Sequence, residues 1–155
     1  MKNDNKHKKS FVGQHDQSDC GVACLASIIK YHGGEVSLEY LRKISGTSIK
    51  GTTLLGLLQA SQEIGFNAEG LEAESVENLK ELNEPAILHV VIDNRLKHYF
   101  VFYGFDDEQL LIGDPAKGIS PYTKEELNSV WQTKALLRLI PNKNFQKREE
   151  SLQLA

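Results

Sequence analysis

A cysteine stands at residue 20, between Asp19 and Gly21, immediately before an apolar run with helical spacing. A free cysteine thiol has a pKa near ~8.5 and is only slightly ionised at neutral pH, but the positive end of a helix dipole lowers that pKa. We expect Asp19 or Ser18 to cap this helix and Gly21 to leave the approach to the sulfur open. Cys20 is therefore a candidate nucleophile, although its position also suits a small buried side chain. Cys24, one turn later among packing residues, is predicted to be structural.

A nucleophilic cysteine needs a base, normally a histidine, and the histidine needs a third group that fixes its tautomer and orientation. The chain has five histidines. His7 lies in the basic start of the chain, His32 suits a helix end, and His15 has no carboxylate placed to orient it. His89 and His98 fall on predicted strands, and only His98 gains a carboxylate partner.

The partner of His98 is Asp114, provided that their two strands pair in one register. A hairpin that turns at residues 106–108, with Phe105 opposite Gln109, places Asp114 diagonal to His98 on the same face of the sheet. That diagonal is about 7 to 8 Å between backbones, which lets the two side chains meet. A two-residue loop would turn Asp114 to the other face. The alternatives are a half-buried strand histidine at 98 and a turn-starting residue at 114.

Gln14 lies on the loop that enters the helix, six residues before Cys20. A side-chain amide there, together with a backbone N–H at the helix start, would form an oxyanion hole. Without the other candidates, Gln14 would be an ordinary surface glutamine.

A metal site built from Cys20, Cys24 and a histidine is disfavoured. The two cysteines are spaced within a helix rather than on a knuckle turn, and no second cysteine pair completes four ligands. We expect no metal.

The elements that position these residues follow from hydrophobic periodicity. The first half is predicted to be helical, with one helix from residue 20 to about 32, a second after Ser37 that ends at Gly46, and a third after Thr52 or Thr53 that ends at Gly65. Gly33 and Gly34 stop the first helix.

The second half is mainly sheet. After a short polar helix from Ser75 to Leu82, the segments AILHVVID, KHYFVFYGF and QLLIGD have the composition of strands. A capping box at residues 123–126 predicts a helix to about Trp131, and ALLRLI a closing strand. Helices first and an antiparallel sheet second predict the α+β class, with a cleft along the seam between them.

Composition limits the class of protein. A net charge of −3 argues against a nucleic-acid partner, and no apolar run approaches the ~20 residues that cross a bilayer. Two cysteines do not make a disulfide framework, so we expect reduced thiols in a cytosol. We predict one domain over residues 11–141, preceded by a flexible N-terminus over 1–10 and followed by a polar tail or linker over 142–155.

Four motifs in order resemble one family. Gln14, the Asp-Cys-Gly run around Cys20, His98 before a tyrosine and Asp114 before a proline are similar to the double-glycine leader peptidases. These are the papain-like cysteine peptidase domains at the N-terminus of ABC transporters that export bacteriocins and peptide pheromones. The resemblance runs from Gln14 to Pro141. It implies Cys20 as nucleophile, His98 as base and later acid, Asp114 as the group that orients it, and Gln14 as oxyanion donor.

The resemblance also implies a substrate and partners. The substrate is a precursor peptide whose leader docks as an amphipathic helix and is cut after Gly-Gly or Gly-Ala. The partners are the transmembrane and nucleotide-binding parts of a dimeric transporter, on the cytoplasmic side of a bacterial membrane. No cofactor is expected in this domain, and ATP only in a full-length transporter. The alternative is a module that binds leaders without cutting them, and the sequence does not indicate the residues of the leader groove.

Overall fold

The structure is a computed structural model that describes residues 4–147 of the chain. It contains five α-helices and two short 3-10 helices among these residues. The α-helices are α1 Asp4–Ser10, α2 Cys20–Tyr31, α3 Leu38–Ser45, α4 Leu54–Ile64 and α5 Lys124–Val130, and the 3-10 helices are Gln17–Asp19 and Val76–Glu81.

In the described part of the chain, six antiparallel strands form one sheet in the order β1-β6-β2-β3-β4-β5. The strands are β1 Phe66–Glu72, β2 Ala86–Ile92, β3 Leu96–Asp106, β4 Gln109–Asp114, β5 Gly118–Tyr122 and β6 Ala135–Pro141. The predicted α+β class is confirmed.

The starts of α3, α4 and α5 are those that the capping signals predict. The side chains of Ser37, Thr53 and Thr123 each accept a hydrogen bond from a backbone N–H in the first turn of the helix that follows. Gly46 ends α3 in the left-handed region, with φ of 73°, where a glycine has no Cβ to clash with the backbone. The predicted polar helix after Ser75 is present as a 3-10 helix.

Three features differ from the expectations. Strands β1 and β5, at the two edges of the sheet, were not predicted, because their short mixed sequences lack a strand-like pattern. Residues 4–10, expected to be flexible, form α1, which buries His7 and Ser10. Of the expected tail, residues 142–147 lie in the described part, and the Phe145 ring packs 5.1 Å from that of Phe66.

A β-bulge sets the register between β3 and β4. Asp106 pairs with Gln109, so the hairpin has a two-residue turn rather than the expected three-residue one. Nearer the site Val101 pairs with Gly113, and the register shifts at Tyr103, which is the extra residue on β3. This shift restores the parity that the short turn would have reversed, and Asp114 lies on the same face as His98.

The sheet is covered on both faces. One hydrophobic cluster joins α2, α3 and α4 to β3 and β6, and a second joins α5 and the 3-10 helix Val76–Glu81 to the other face. Alternate residues of β3 enter the two clusters, so Tyr99 and Val101 face α2 while Phe100 and Phe102 face the opposite side. The strand that carries His98 is thereby fixed from both sides.

Gly56 offers a test of the contact between α3 and α4. A Cβ at Gly56 would collide with the backbone carbonyl oxygen of Ser45, at the end of α3. We expect Gly56→Ala to lower the free energy of unfolding by about 1–3 kcal/mol, because backbone must move to relieve the clash. Gly70→Ala is the matched control, since the nearest atom to its new Cβ is 3.9 Å away. Chemical denaturation of both variants measures the difference, and equal stabilities would contradict this account of the contact.

Candidate active site

Cys20 is the first residue of α2, as predicted, and is 4% exposed. The 3-10 helix Gln17–Asp19 leads directly into α2, and the Cys20 backbone N–H donates to the Gln17 carbonyl. Gly21 is buried, and a Cβ at this position would lie only 3.2 Å from the side chains of Leu57 and Tyr99. The absence of a side chain at 21 therefore serves the packing of α2, rather than the approach to the sulfur as expected.

Asp19 occupies the N-cap position of α2, but its side chain makes no capping hydrogen bond there. Both of its oxygens instead accept from the Arg42 guanidinium on α3, Oδ1 at 2.7 Å from Nε and Oδ2 at 3.0 Å from Nη2. Ser18 does not cap α2 either, since its hydroxyl donates to Asp16. The expected side-chain cap is therefore absent, because the nearest carboxylate is held by an arginine.

His98 and Asp114 form a buried pair. His98 Nε2 lies 2.8 Å from Asp114 Oδ1, and the two residues are 3% and 6% exposed. The Ala116 backbone N–H donates to the same oxygen at 2.9 Å, and the Phe100 ring stands edge-on to the imidazole. These contacts fix the ring so that Nδ1 points away from the carboxylate.

The electrostatics of the pair favour a charged imidazole. Burial alone would lower the pKa of His98, but hydrogen bonds to Asp114 and Cys20 outweigh it and raise that pKa to about 9. For Asp114, burial would raise the pKa, but the hydrogen bonds from His98 and the Ala116 N–H lower it below its usual value. The side chains of residues 20 and 98 therefore interact.

Gln17 is a site residue that the sequence did not indicate. Its Nε2 lies 3.1 Å from His98 Nδ1 and 3.9 Å from Cys20 Sγ, so the amide stands between the two groups. The amide N–H can donate to Nδ1 only in the neutral imidazole. In the charged imidazole that the electrostatics favour, the amide would turn its oxygen toward Nδ1–H. The one available signal was its position three residues before Cys20, one 3-10 turn away, but a glutamine in a polar loop has no pattern that singles it out.

Gln14 is close to this group without touching the sulfur. Its backbone N–H donates to the Pro115 carbonyl at 2.9 Å, which ties the entering loop to the end of β4. Its side-chain Nε2 donates to Gln17 Oε1 at 3.3 Å, and its Oε1 is buried with no hydrogen-bond partner among residues 4–147. The structure thus brings together Cys20, His98 and Asp114 and places Gln14 one side chain further out.

The remaining candidates lie outside this constellation. Cys24 is buried in the core, and burial raises the pKa of its thiol well above the usual value, which agrees with a structural role. His32 packs against aromatic rings beyond the C-terminal end of α2, and burial lowers its pKa to about 4. His89 is half-buried on β2 against the Tyr99 ring.

A groove of about 780 Å³ runs beside Cys20, between the loop that joins α3 to α4 and the β2–β3 hairpin. The loop contributes Ile49, which is 93% exposed, and the hairpin contributes Leu96, which is 45% exposed. Three cations lie along its lining, Lys50, Arg95 and Lys97. The groove is therefore apolar in part, lined by basic groups and open to the thiol.

Within residues 4–147 no group of histidines, cysteines and carboxylates could hold a metal ion. In the same part of the chain, none of the helices combines the length and apolar character that a membrane span requires. Both cysteines are free thiols.

A thiol at a helix start, close to an imidazole that pairs with a buried carboxylate, is an arrangement suited to nucleophilic catalysis by cysteine. The family model of the peptidase C39 family matches residues 8–144, and the chain belongs to this family.

Relatives and solved structures agree with this assignment. The chain is 36% identical over 148 residues to the mesentericin-Y105 transport/processing ATP-binding protein MesD of Leuconostoc mesenteroides, covering 93% of this chain and 20% of that protein. It is 34% identical over 149 residues to the pediocin PA-1 transport/processing ATP-binding protein PedD of Pediococcus acidilactici, covering 94% of this chain and 20% of that protein. The chain thus spans about a fifth of the length of these relatives.

Among solved structures, the peptidase domain of Streptococcus ComA, a bifunctional ABC transporter of a quorum-sensing pathway, has a TM-score of 0.77 and 38% identity, covering 84% of this chain and 97% of that one. A double-glycine motif protease from an AMS/PCAT transporter, solved in complex with the leader peptide, has a TM-score of 0.76 and 31% identity, covering 84% and 90%.

Proposed function

We propose that this domain is an endopeptidase that removes the leader of a precursor bacteriocin or peptide pheromone by cutting after a Gly-Gly or Gly-Ala pair, in step with export by an ABC transporter. The observation that carries the proposal is the buried His98–Asp114 pair, which fixes an imidazole that interacts with Cys20, a residue that lines the groove. Membership of the C39 family and the leader-bound relative supply the substrate class.

In the first half of the reaction, the Cys20 thiolate attacks the carbonyl carbon of the second glycine. A C–S bond forms and the carbonyl oxygen takes the electron pair. Gln14 is the side-chain donor to this oxyanion, which requires its Nε2 to leave Gln17. His98 Nδ1 gives its proton to the leaving amine, the C–N bond breaks and the mature peptide departs.

In the second half, a water molecule replaces the departed amine beside His98. The imidazole takes a proton from this water as its oxygen attacks the thioester carbon. The C–S bond then breaks, the leader leaves with a terminal carboxylate, and the thiolate–imidazolium pair is restored. Asp114 stays ionised throughout, because its role is to hold the ring and to stabilise its positive charge.

The groove beside Cys20 is the place proposed for the leader. Ile49 and Leu96 supply apolar surface for the hydrophobic face of an amphipathic helix. Tyr99, whose hydroxyl donates to the Thr52 carbonyl at 2.8 Å, forms a rigid wall near the thiol. Such a wall favours residues without side chains at the two positions before the cut.

The relatives support a cellular setting for this domain. The chain matches about a fifth of transport/processing ATP-binding proteins, so we propose transmembrane and nucleotide-binding parts as its partners. The domain would act on the cytoplasmic side of the bacterial membrane, in two copies per dimeric transporter. ATP would bind only to the nucleotide-binding parts, and the peptide cut itself needs no cofactor.

The alternative is a module that recruits leaders without cutting them. A pure binder does not need an ionisable thiol beside an imidazole that is joined to a buried carboxylate. The peptidase is therefore favoured.

Chemical labelling of the two thiols tests the proposal. We expect iodoacetamide to alkylate Cys20 much faster than Cys24, which lies deeper in the core. The rate at Cys20 should fall at least about tenfold in His98→Ala, because the imidazole is the base that takes the proton of the attacking thiol. Mass spectrometry of peptides from the labelled protein measures both rates. Labelling should also abolish cleavage of a synthetic precursor with a Gly-Gly leader. Slow labelling of Cys20 that is independent of His98, in a protein that binds the leader intact, would support the binding module instead.

A further inference from the structure

The pair formed by Asp19 and Arg42 joins the start of α2 to α3. The Asp19 side chain is 1% exposed, and the arginine that holds it is 37% exposed. The contact is bidentate, with N–O distances of 2.7 and 3.0 Å, which is the strongest geometry for a carboxylate and a guanidinium. Asp19 also immediately precedes the nucleophile in the chain.

A carboxylate in this position would oppose the reaction if it had no partner. A negative charge beside a thiol disfavours the thiolate. Aspartate at an N-cap normally turns its oxygens onto the first-turn amides, and these are the groups that otherwise favour a negative sulfur. Asp19 makes no such bond, because Arg42 takes both of its oxygens.

We propose that Arg42 is a positioning residue that neutralises Asp19 and holds its carboxylate away from the first turn of α2. The backbone N–H groups of this turn then stabilise the negative charge of the Cys20 thiolate. The inference rests on the proposed function only in taking Cys20 as the nucleophile. It assigns a catalytic consequence to a residue on α3 that touches neither the sulfur nor the imidazole.

The other charged groups around the pair do not replace this effect. His15 acts on Asp19 only through a weaker charge interaction than the Arg42 hydrogen bonds, which hold the pKa of Asp19 below its usual value. Asp16 and Glu39 are the further acids that act on Arg42. The titratable groups that interact with Cys20 are His98 and Tyr99 on β3 and Cys24 on α2. The groove beside the thiol is also lined by the cations Lys50, Arg95 and Lys97.

A double-mutant cycle on the pH dependence of Cys20 alkylation tests the inference. In Arg42→Gln, the bare carboxylate of Asp19 should raise the pH midpoint of iodoacetamide labelling by about one unit and slow labelling about tenfold below the midpoint. Adding Asp19→Asn removes the charge, so the double variant should return to within about 0.3 of a pH unit of the wild type, although both variants lose stability. A purely structural pair would lower the stability of Arg42→Gln without moving the pH midpoint of labelling.

Two further variants keep the result interpretable. Arg42→Lys retains the positive charge, so the pH midpoint of Cys20 labelling should be unchanged even if the bidentate contact is lost. This variant can be measured if Arg42→Gln does not fold. Lys43→Gln removes the neighbouring exposed cation of α3 and should change nothing. If Cys20 of the wild type is reactive and the pH midpoint of its labelling is the same in Arg42→Gln, the inference about Arg42 is wrong and the proposed function stands. If Cys20 of the wild type is unreactive, the proposed function itself is wrong.

Discussion

Replacing Cys20 by alanine is expected to reduce leader cleavage by about 10⁵-fold or more, because the acyl-enzyme route disappears when its nucleophile is removed. The thiol is small and lies at the edge of the core, so the variant should fold and still bind a labelled leader. Single-turnover cleavage of a synthetic precursor, with leader affinity measured in parallel, gives the two quantities. A variant that cleaves at an undiminished rate would refute the assignment of Cys20.

Cys24→Ala is the matched control for this experiment. The chemistry is the same, one thiol replaced by a methyl group on the same helix, but Cys24 is buried in the core with a thiol pKa well above the usual value. We expect a loss of about 1 kcal/mol in unfolding free energy, from the small cavity left behind, with cleavage retained. Comparing Cys20→Ala with Cys24→Ala therefore distinguishes the loss of a reactive thiol from the loss of a packing side chain.

Asp114→Asn is expected to lower kcat by about 10³- to 10⁴-fold while the fold survives. Asparagine keeps an oxygen for the Ala116 N–H and for His98 Nε2, so the geometry is preserved and only the negative charge is lost. Without that charge the imidazolium is no longer stabilised in its buried position. Cleavage kinetics measure the loss, and Asp106→Asn, at the exposed end of β3, is the control that should remain active.

The same variant has a pH signature. The pKa of His98 is raised to about 9 in the folded protein, against about 6.5 for an unfolded chain, so the protonated pair stabilises the fold fully below about pH 6.5. That contribution is lost as the pH rises through about 9. In Asp114→Asn the pKa of His98 should fall, and both the stability difference and the alkaline limb of kcat/KM should move to lower pH. NMR titration of the His98 ring measures the pKa directly, and a value unchanged at about 9 would show that Asp114 does not control the imidazole.

Local signals in the sequence were sufficient for most of the helices. Ser37, Thr53 and Thr123 are cap residues that act within one turn, so their hydrogen bonds depend on neighbours in the chain alone. The edge strands β1 and β5 depend on a partner far away in the chain, and the pairing of β1 with β6 could not be inferred from β1 itself.

The candidate site, like the fold, could be predicted in part from the sequence. Cys20, His98 and Asp114 were singled out by residue type and by the family resemblance, and the structure brings them together. The predicted turn between β3 and β4 was wrong, since the hairpin has a two-residue turn, which by itself would have placed His98 and Asp114 on opposite faces of the sheet. The bulge at Tyr103 could not be predicted from the local sequence, because the position of a bulge depends on how both faces of the sheet are packed.

Gln17 and Arg42 were not predictable for a related reason. Each acts through a contact that only the folded chain creates, Gln17 with a histidine 81 positions away and Arg42 with an aspartate 23 positions away. A single glutamine in a polar loop and a single arginine on a helix face are common in any soluble domain. Their importance depends on which side chains the fold places opposite them.

The extra residue at Tyr103 separates two properties that a regular hairpin ties together, namely the length of its turn and the side of the sheet to which each residue points. The face to which Asp114 points follows from its pairing in the sheet and not from its distance along the chain from His98. An insertion in the turn that left Asp106 paired with Gln109, or a deletion of the extra residue that left Phe102 paired with Ile112, would keep Asp114 on the face of His98. Homologous domains can therefore differ here in length by one residue and still preserve the pair.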